Sequence, residues 1–303
     1  MKHIFVVNPA AGGGRAPGYV REHFGGREDL EIYETRAPRD AVDFVRRRSA
    51  QSREELCFVA CGGDGTVNEV ASGLAMNPRD CMTILPLGSG NDFVKAFGGA
   101  AGFLDGEALL SSVPRPIDIL KVGDRWALNA FHFGLDAAVA KTMADVKPKP
   151  IIGGRNAYPT GVVKALIFDM RTYCRMTVDG EELCDGDILL CTVANGEYVG
   201  GSYRCAPRSR QDDGLAEVCL VTPVSRLRFL TLMNAYKAGT HLEDPRFDPM
   251  VRYRRGKVIE VKGKPGFIVS LDGEIAEGTS FRVEVISGGL RFAAAGARET
   301  AGV

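Results

Sequence analysis

A chain of 303 residues exceeds the usual reach of one hydrophobic core, so it is expected to fold as two domains. Its 38 basic and 38 acidic residues cancel to a formal net charge of zero, which excludes the broad basic footprint of a nucleic-acid-binding protein. With 45% hydrophobic residues it has material for a sizeable core, and no apolar run is long enough to span a bilayer.

The chain opens on Met1-Lys-His-Ile-Phe-Val-Val-Asn8, whose apolar part is too short for a signal peptide and reads as a strand from Ile4 to Val7. Asn8 to Arg15 is a glycine-rich loop, followed by a helix through Tyr19 and Phe24. A second strand, Leu30 to Tyr33, leads through Thr35-Arg-Ala-Pro38 into a helix carrying Ala41, Val42, Phe44 and Val45. Leu56 to Ala60 has the length and bulk of a buried strand, and it stops at Gly62, Gly63 and Gly65. Thr66 is predicted to open the next helix, with Glu69 completing a capping box and Val67, Val70, Ala71 and Leu74 forming one buried stripe. Met82 to Leu85 is another strand, ending at Pro86-Leu-Gly-Ser-Gly-Asn-Asp-Phe93, where Ser89, Asn91 and Asp92 are all residue types favoured at helix caps. Alternating strands and helices predict a parallel sheet covered on both faces, with ligands at the carboxyl ends of the strands.

Beyond Pro114-Arg-Pro116 the texture changes to short strands: 117–122, 127–133, 174–178, 188–193, 216–221, 258–261, 267–271 and 281–286. Turn dipeptides at Gly123-Asp124, Asp179-Gly180, Asp213-Gly214 and Asp272-Gly273 punctuate them, the pattern of antiparallel sheet. Helices are expected over 160–170 and 225–238, the latter with Leu227, Leu230, Thr231 and Asn234 at helical spacing. The expected division is 1–115 and 116–291, with a tail over 292–303 returning to the first domain. Eight cysteines, none in a C-x-x-C pair, and four scattered histidines give no zinc spacing. They read as reduced core thiols of a cytoplasmic protein.

The chemistry concentrates in the strand–glycine turn–helix unit at 56–70. Free N–H groups at a helix start, beside backbone stripped of side chains, suit a phosphate. Asp64 sits in that bend, placed to act on a metal or on the phosphate's water shell. No Gly-Lys-Ser/Thr triplet occurs, which excludes a Walker A loop, and Pro17 breaks the dinucleotide fingerprint begun by Gly12 and Gly14. The loop with Gly88, Ser89, Asn91 and Asp92, on the neighbouring strand, adds a second close approach of bare backbone. Trp126 reads as core and His132 as a hydrogen-bonded sheet histidine. Arg46 to Arg48 reads as a solvated face, while Arg252-Tyr-Arg-Arg255 is a candidate for contact with anionic lipid.

Taken in order, these motifs resemble the diacylglycerol kinase-like lipid kinases, the bacterial soluble branch that is also similar to sphingosine kinases. The residues that carry the resemblance are Asn8-Pro-Ala-Ala-Gly12, Gly62-Gly-Asp-Gly-Thr66, Pro86 to Phe93, Tyr198 to Pro207, Asp212-Asp-Gly-Leu215 and Asp272-Gly-Glu274. Ser89, Gly90 and Val94 depart from the residues usual in that family, although Ser89 keeps the hydroxyl. The resemblance implies a phosphofructokinase- or NAD kinase-like α/β domain followed by a β-rich, sandwich-like lipid-substrate domain, with the active site between them. It implies that Asn8, Gly12, Thr35, Gly62, Gly63, Asp64, Gly65, Thr66, Val67, Asn68, Gly88, Ser89 and Asn91 contact ATP. Asp64 and Asp92 would organise magnesium and water around the transferred phosphoryl group. Asp213 would hold a structural magnesium with the carbonyls of Arg210 and Leu215, and Glu274 would be the general base, supported by Asp272. Asp179-Gly-Glu181 repeats the last triplet and reads as a hairpin turn; Glu274 is preferred on motif order alone.

The implied activity is magnesium-dependent transfer of the ATP γ-phosphate to the hydroxyl of a diacylglycerol-like lipid drawn from a membrane surface. It implies peripheral membrane contact and no nucleic-acid partner, and exposed sheet edges would allow a homodimer. Two rivals stand beside it: an NAD kinase-like or other small-molecule kinase that shares the Gly62–Thr66 loop and acts on a soluble acceptor, and a non-catalytic lipid- or nucleotide-binding protein.

Overall fold

In the computed structural model, which describes residues 1–146, 170–201 and 203–295, the first four strands form a parallel sheet. These are β1 (Lys2–Val7), β2 (Leu30–Glu34), β3 (Leu56–Gly62) and β4 (Cys81–Pro86), in the order β2-β1-β3-β4. Every residue of β3 and β4 is buried, which is why both read as continuous apolar runs rather than alternating ones. Helices α1 (Ala16–Phe24), α2 (Asp40–Gln51) and α3 (Asp64–Leu74) connect them. Ala41, Val42 and Val45 bury one stripe of α2, and Val67, Val70, Ala71 and Leu74 bury one stripe of α3. The two helices pack closely because Gly73 has no side chain: a Cβ there would lie 2.8 Å from Val45. A buried carboxylate, Asp80, joins these elements by accepting from Ser49 Oγ, Leu56 N–H and the Arg79 guanidinium.

Chain contacts divide the molecule into two units. The first holds Met1–Ile119, Gln211–Asp213 and the chain from Ile286 onward; the second holds Leu120–Arg210 and Gly214–Val285. The helix predicted over 160–170 falls outside the described residues apart from Met170, as do Ser202 of the Tyr198–Pro207 motif and residues 296–303 of the predicted tail.

Strands β5 (Pro114–Val122) and β6 (Arg125–Ala127), an antiparallel pair, come next in the chain, and the second unit is a sandwich. One layer is a six-stranded antiparallel sheet of β7 (Ala130–Gly134), β10 (Leu190–Ala194), β11 (Ala216–Val221), β12 (Val251–Gly256), β14 (Ile268–Leu271) and β15 (Glu274–Glu277), ordered β12-β11-β10-β7-β14-β15. Facing it are β8 (Thr172–Val178), β9 (Glu181–Ile188), β13 (Val258–Gly263) and the start of β16 (Ser280–Ala293). Phe131, Phe133, Cys191, Val193, Val218 and Leu220 from the first layer share one core with Cys174, Met176, Ile259, Val261 and Val283 from the second. All eight cysteines are buried, and none is in a disulfide.

Two helices lie with this sandwich, α4 (Leu135–Val146) and α5 (Arg226–Ala238). α4 was not expected, because its apolar residues run directly on from β7 without a break in hydrophobicity. α5 forms where the spacing places it, yet Leu227 and Leu230 are 74% and 52% exposed, and Leu232 is the residue it buries. Trp126 is half-buried on the short edge strand Arg125–Ala127, beneath the Lys121 ammonium, instead of in the core. His132 is buried on β7 but Nδ1 has no hydrogen-bond partner, so the expected hydrogen-bonded histidine is corrected at that atom.

Candidate functional site

The strand order β2-β1-β3-β4 reverses direction at β1, so the crevice between the ends of β1 and β3 is a topological switch point. Asn8 leaves β1 there, and its Nδ2 donates to Thr66 Oγ1 across the crevice at 3.1 Å. Asn8 N–H donates to Cys61 O, and Asn8 Oδ1 accepts from Ala10 N–H, so the residue ties its own loop to the end of β3. Gly12 turns through a left-handed conformation (φ 61°), and a Cβ there would meet Leu87 O at 3.2 Å. Thr35, at the end of β2, donates its N–H to Val7 O.

Helix α3 begins two residues earlier than the capping box predicted. Gly63 is the cap, in an extended conformation without a side chain, and Val67 N–H makes the first helical bond to its carbonyl. Thr66 therefore lies inside the first turn, and its hydroxyl accepts from Asn8 instead of capping. Glu69 accepts from Arg39 N–H at 2.9 Å, which ties α3 to the start of α2. A Cβ on Gly62 would stand 2.3 Å from Thr66 Oγ1, so only glycine lets that hydroxyl take its place. Gly65 is exposed, with nothing within 4 Å of where its Cβ would be. Val67 and Asn68 are buried on the inner side of the helix, and Asn68 Oδ1 accepts from Ser72.

The loop after β4 closes onto this turn backbone to backbone. Leu87 and Gly88 both donate N–H to Gly62 O, and a Cβ on Gly88 would lie 2.3 Å from Gly63 Cα. Asn91 sits in a left-handed conformation (φ 48°), with Nδ2 donating to Gly88 O and Pro86 O. It closes the loop and does not cap a helix. Asp92 N–H donates to Asp64 Oδ1 at 2.6 Å, and Asp92 Oδ1 pairs with Lys95 at 2.5 Å, ahead of a short 3₁₀ turn over Phe93–Phe97. Both carboxylates border Gly90, whose Cβ would lie 2.7 Å from Asp64 Oδ2 and 3.9 Å from Asp92 Oδ2. Ser89 is exposed at the tip. Lys95 went unnoticed in the sequence, although an acid and a lysine three residues apart at a helix start are a recognisable pair.

Aspartate 64 and aspartate 92 offer oxygen ligands only, the kind a hard cation such as magnesium prefers. Among the described residues no three His, Cys, Asp or Glu side chains converge as a metal site by themselves, so the phosphates and water would complete any shell here. Of the residues expected at a structural magnesium, Asp213 belongs to the first unit and Arg210 and Leu215 to the second.

In the second unit Asp272 and Gly273 form the tight turn of the β14–β15 hairpin, both at positive φ, with Leu271 opposite Glu274. The Asp272 carboxylate accepts from the N–H groups of Leu128 (2.6 Å), Asn129 (3.0 Å) and Ala130 (2.8 Å). Glu274 is exposed, and no ion pair or side-chain hydrogen bond holds it among the described residues. Asp179-Gly-Glu181 builds the same kind of turn between β8 and β9, with Asp179 accepting from Lys257 and Val258 N–H. Glu181, however, is paired with Arg254. The second basic run is engaged with the fold too: Arg255 pairs with Glu217, and Arg252 donates to Leu183 O.

The model of the diacylglycerol kinase catalytic domain matches residues 2–122, and that of the YegS C-terminal NAD kinase beta sandwich-like domain matches residues 129–294. The chain belongs to the YegS-like lipid kinase family. It is 32% identical over 270 residues to a probable lipid kinase YegS-like protein of Pseudomonas aeruginosa, covering 88% of this chain and 84% of that one. A second YegS-like relative, from Pseudomonas savastanoi pv. phaseolicola, is 30% identical over 266 residues, with 87% and 83% covered. Among solved structures, one described as a diacylglycerol kinase from Bacillus anthracis str. Sterne superposes with a TM-score of 0.70 over 96% of each chain. At 22% identity that likeness is one of fold: an α/β unit with a parallel sheet, then the antiparallel sandwich that marks the YegS-like C-terminal part.

Proposed function

We propose that this YegS-like protein is an ATP- and magnesium-dependent lipid kinase that phosphorylates the hydroxyl of a diacylglycerol-like lipid. The observation that supports it most is the pair of glycine loops meeting at the switch point, where Gly62, Gly63 and Gly88 touch and Asp64 and Asp92 border the same backbone. Phosphoryl transfer asks mainly for positioning and charge neutralisation, and amide donors with flanking carboxylates suit both. Asn8, Gly12, Thr35, Gly62 to Asn68, Gly88, Ser89 and Asn91 would seat the nucleotide. Asp64 and Asp92 would hold magnesium, which when bound neutralises phosphate charge; Asp213, with the carbonyls of Arg210 and Leu215, would hold a structural one.

Glu274, exposed and unengaged, would take the proton of the lipid hydroxyl as its oxygen bonds to the γ-phosphorus and the bond to ADP breaks. The lipid would come from a membrane surface; among the described residues no helix is long and apolar enough to cross a membrane. Incubation with γ-labelled ATP, magnesium and a panel of lipid vesicles tests the reading. Label appearing in a lipid product, and absent with Glu274→Gln, is the expected result. Label transferred only to a soluble acceptor would overturn it.

A further inference from the structure

Antiparallel pairing aligns Ser270 with His132, His132 with Thr192, Thr192 with Cys219 and Cys219 with Tyr253. Directly paired residues project from the same face, so these five side chains form one row across β14, β7, β10, β11 and β12. That face is not the sandwich interior, which takes the alternate residues Phe131, Phe133, Cys191 and Val193. It lies under α4 and α5, where Leu135, Ala138, Leu190, Val221 and Leu232 form one apolar cluster and Ala194, Cys205 and Tyr236 another. A polar row runs between two apolar clusters.

The polar atoms of this row are buried and largely without partners. Ser270 Oγ, His132 Nδ1, Thr192 Oγ1 and Tyr253 OH make no hydrogen bond, and neither do Asp136 Oδ2 from α4 and Tyr236 OH from α5. Thr192 and Ser270 are fully buried and His132 is 8% exposed. Thr192 stands beside both Asp136 and Tyr236 without a hydrogen bond of ordinary geometry to either. Buried polar groups are almost always paired, and each orphan carries the cost of its own desolvation. Six gathered at one face of one sheet, four from its strands and two from the helices over it, call for polar partners that the protein's own side chains do not supply.

We propose that this row is a binding site for an uncharged, hydroxyl-rich ligand group, seated on Thr192 between Asp136 and Tyr236 with His132 alongside. Burial pushes the Tyr236 phenol well above its usual pKa and holds His132 down at about 4, so both stay neutral at pH 7. The lining is then four hydroxyls, one neutral imidazole and one carboxylate, a set that both donates and accepts, as a polyol does. An anion seated on Thr192 would meet the Asp136 carboxylate, whereas the Arg208 guanidinium stands over the Tyr253 ring two strands away, and a hydrocarbon would leave every orphan unpaired. The polyol could be the head of the acceptor lipid, which rests on the kinase reading, or a free polyol.

Calorimetric titration with monohexanoylglycerol, glycerol and 1-hexanol tests this on the full chain, using the wild type, Thr192→Val and Tyr236→Phe. Binding of a glycerol-bearing probe, weakened about tenfold in each variant with the melting temperature unchanged or higher, is the expected result. Tight binding of monohexanoylglycerol alone assigns the row to a lipid head; equal binding of glycerol assigns it to a free polyol. Undiminished binding in both variants, 1-hexanol binding as well as the acylglycerol, no saturation by either polyol, or variants that melt far below the wild type would each overturn the site. The titration does not require turnover, so an inactive kinase with intact polyol binding sinks the kinase reading alone.

Discussion

At the scale of single residues, Asp272 and Glu274 are neighbours with opposite circumstances. Asp272 is consumed by three backbone amides of the 128–130 segment, whereas Glu274 is exposed and unengaged. Their variants should separate accordingly. Asp272→Ala strands three part-buried N–H groups and should cost about 3 kcal/mol of stability in urea unfolding, at about 1 kcal/mol for each. Glu274→Gln should melt like the wild type, keep its affinity for ATP and lose at least 100-fold in lipid phosphorylation. Retained turnover would remove Glu274 as the base. None of this could be read from the triplet itself, because Asp179-Gly-Glu181 is the same three residues in the same turn. What differs is the partner across space: Arg254 for Glu181, and for Glu274 none among the described residues.

At the scale of elements, the glycines of the two loops after β3 and β4 divide by what surrounds them. Gly88 packs against Gly63, so Gly88→Ala should force the loops apart, destabilise the fold by about 1–3 kcal/mol and raise the KM for ATP. Gly65 has open space at its missing Cβ and lies inside α3. Gly65→Ala should therefore raise the melting temperature slightly, through helix propensity, and still weaken nucleotide binding by at least tenfold. Equal ATP affinity in Gly65→Ala would mean that no phosphate approaches that backbone. The loops themselves were legible, since three glycines around an aspartate after a buried strand have few other uses. The helix start was not: Thr66 and Glu69 match a capping box letter by letter, but Asn8 and Arg39 compete for their side chains.

Across the whole molecule, buried titratable groups set the response to acid. His132 and His241 are held at about 4 by burial, below the ordinary 6.5. Between those values the unfolded chain takes up protons that the fold refuses, so acidification destabilises, by about 3 kcal/mol per histidine at 1.36 kcal/mol per unit. Burial also works against the charge of Asp80, but hydrogen bonds from Arg79, Ser49 and Leu56 N–H outweigh it and lower its pKa, adding stability that is lost on further acidification. Asp136 has the opposite sign: burial raises it from 3.8 to about 6, so the fold gains as pH falls through that window. The net expectation is a melting temperature that falls from pH 6.5 to 4. Asp136→Asn should steepen that fall by removing the opposing contribution, and a shallower profile in the variant would contradict the assignment.

Local sequence was enough to determine the parallel sheet, the glycine turns at its carboxyl edge and the antiparallel character of the second half. Each of these rests on short-range constraints: strand length, turn chemistry and the absence of side chains at close approaches. Only the tertiary structure decided which residues engage one another, such as Asn8 with Thr66 across the switch point, Asp272 with three distant amides, and the polar row from Ser270 to Tyr253. Those partners lie on separate strands, and pairing register, which no single segment encodes, is what brings them onto one face.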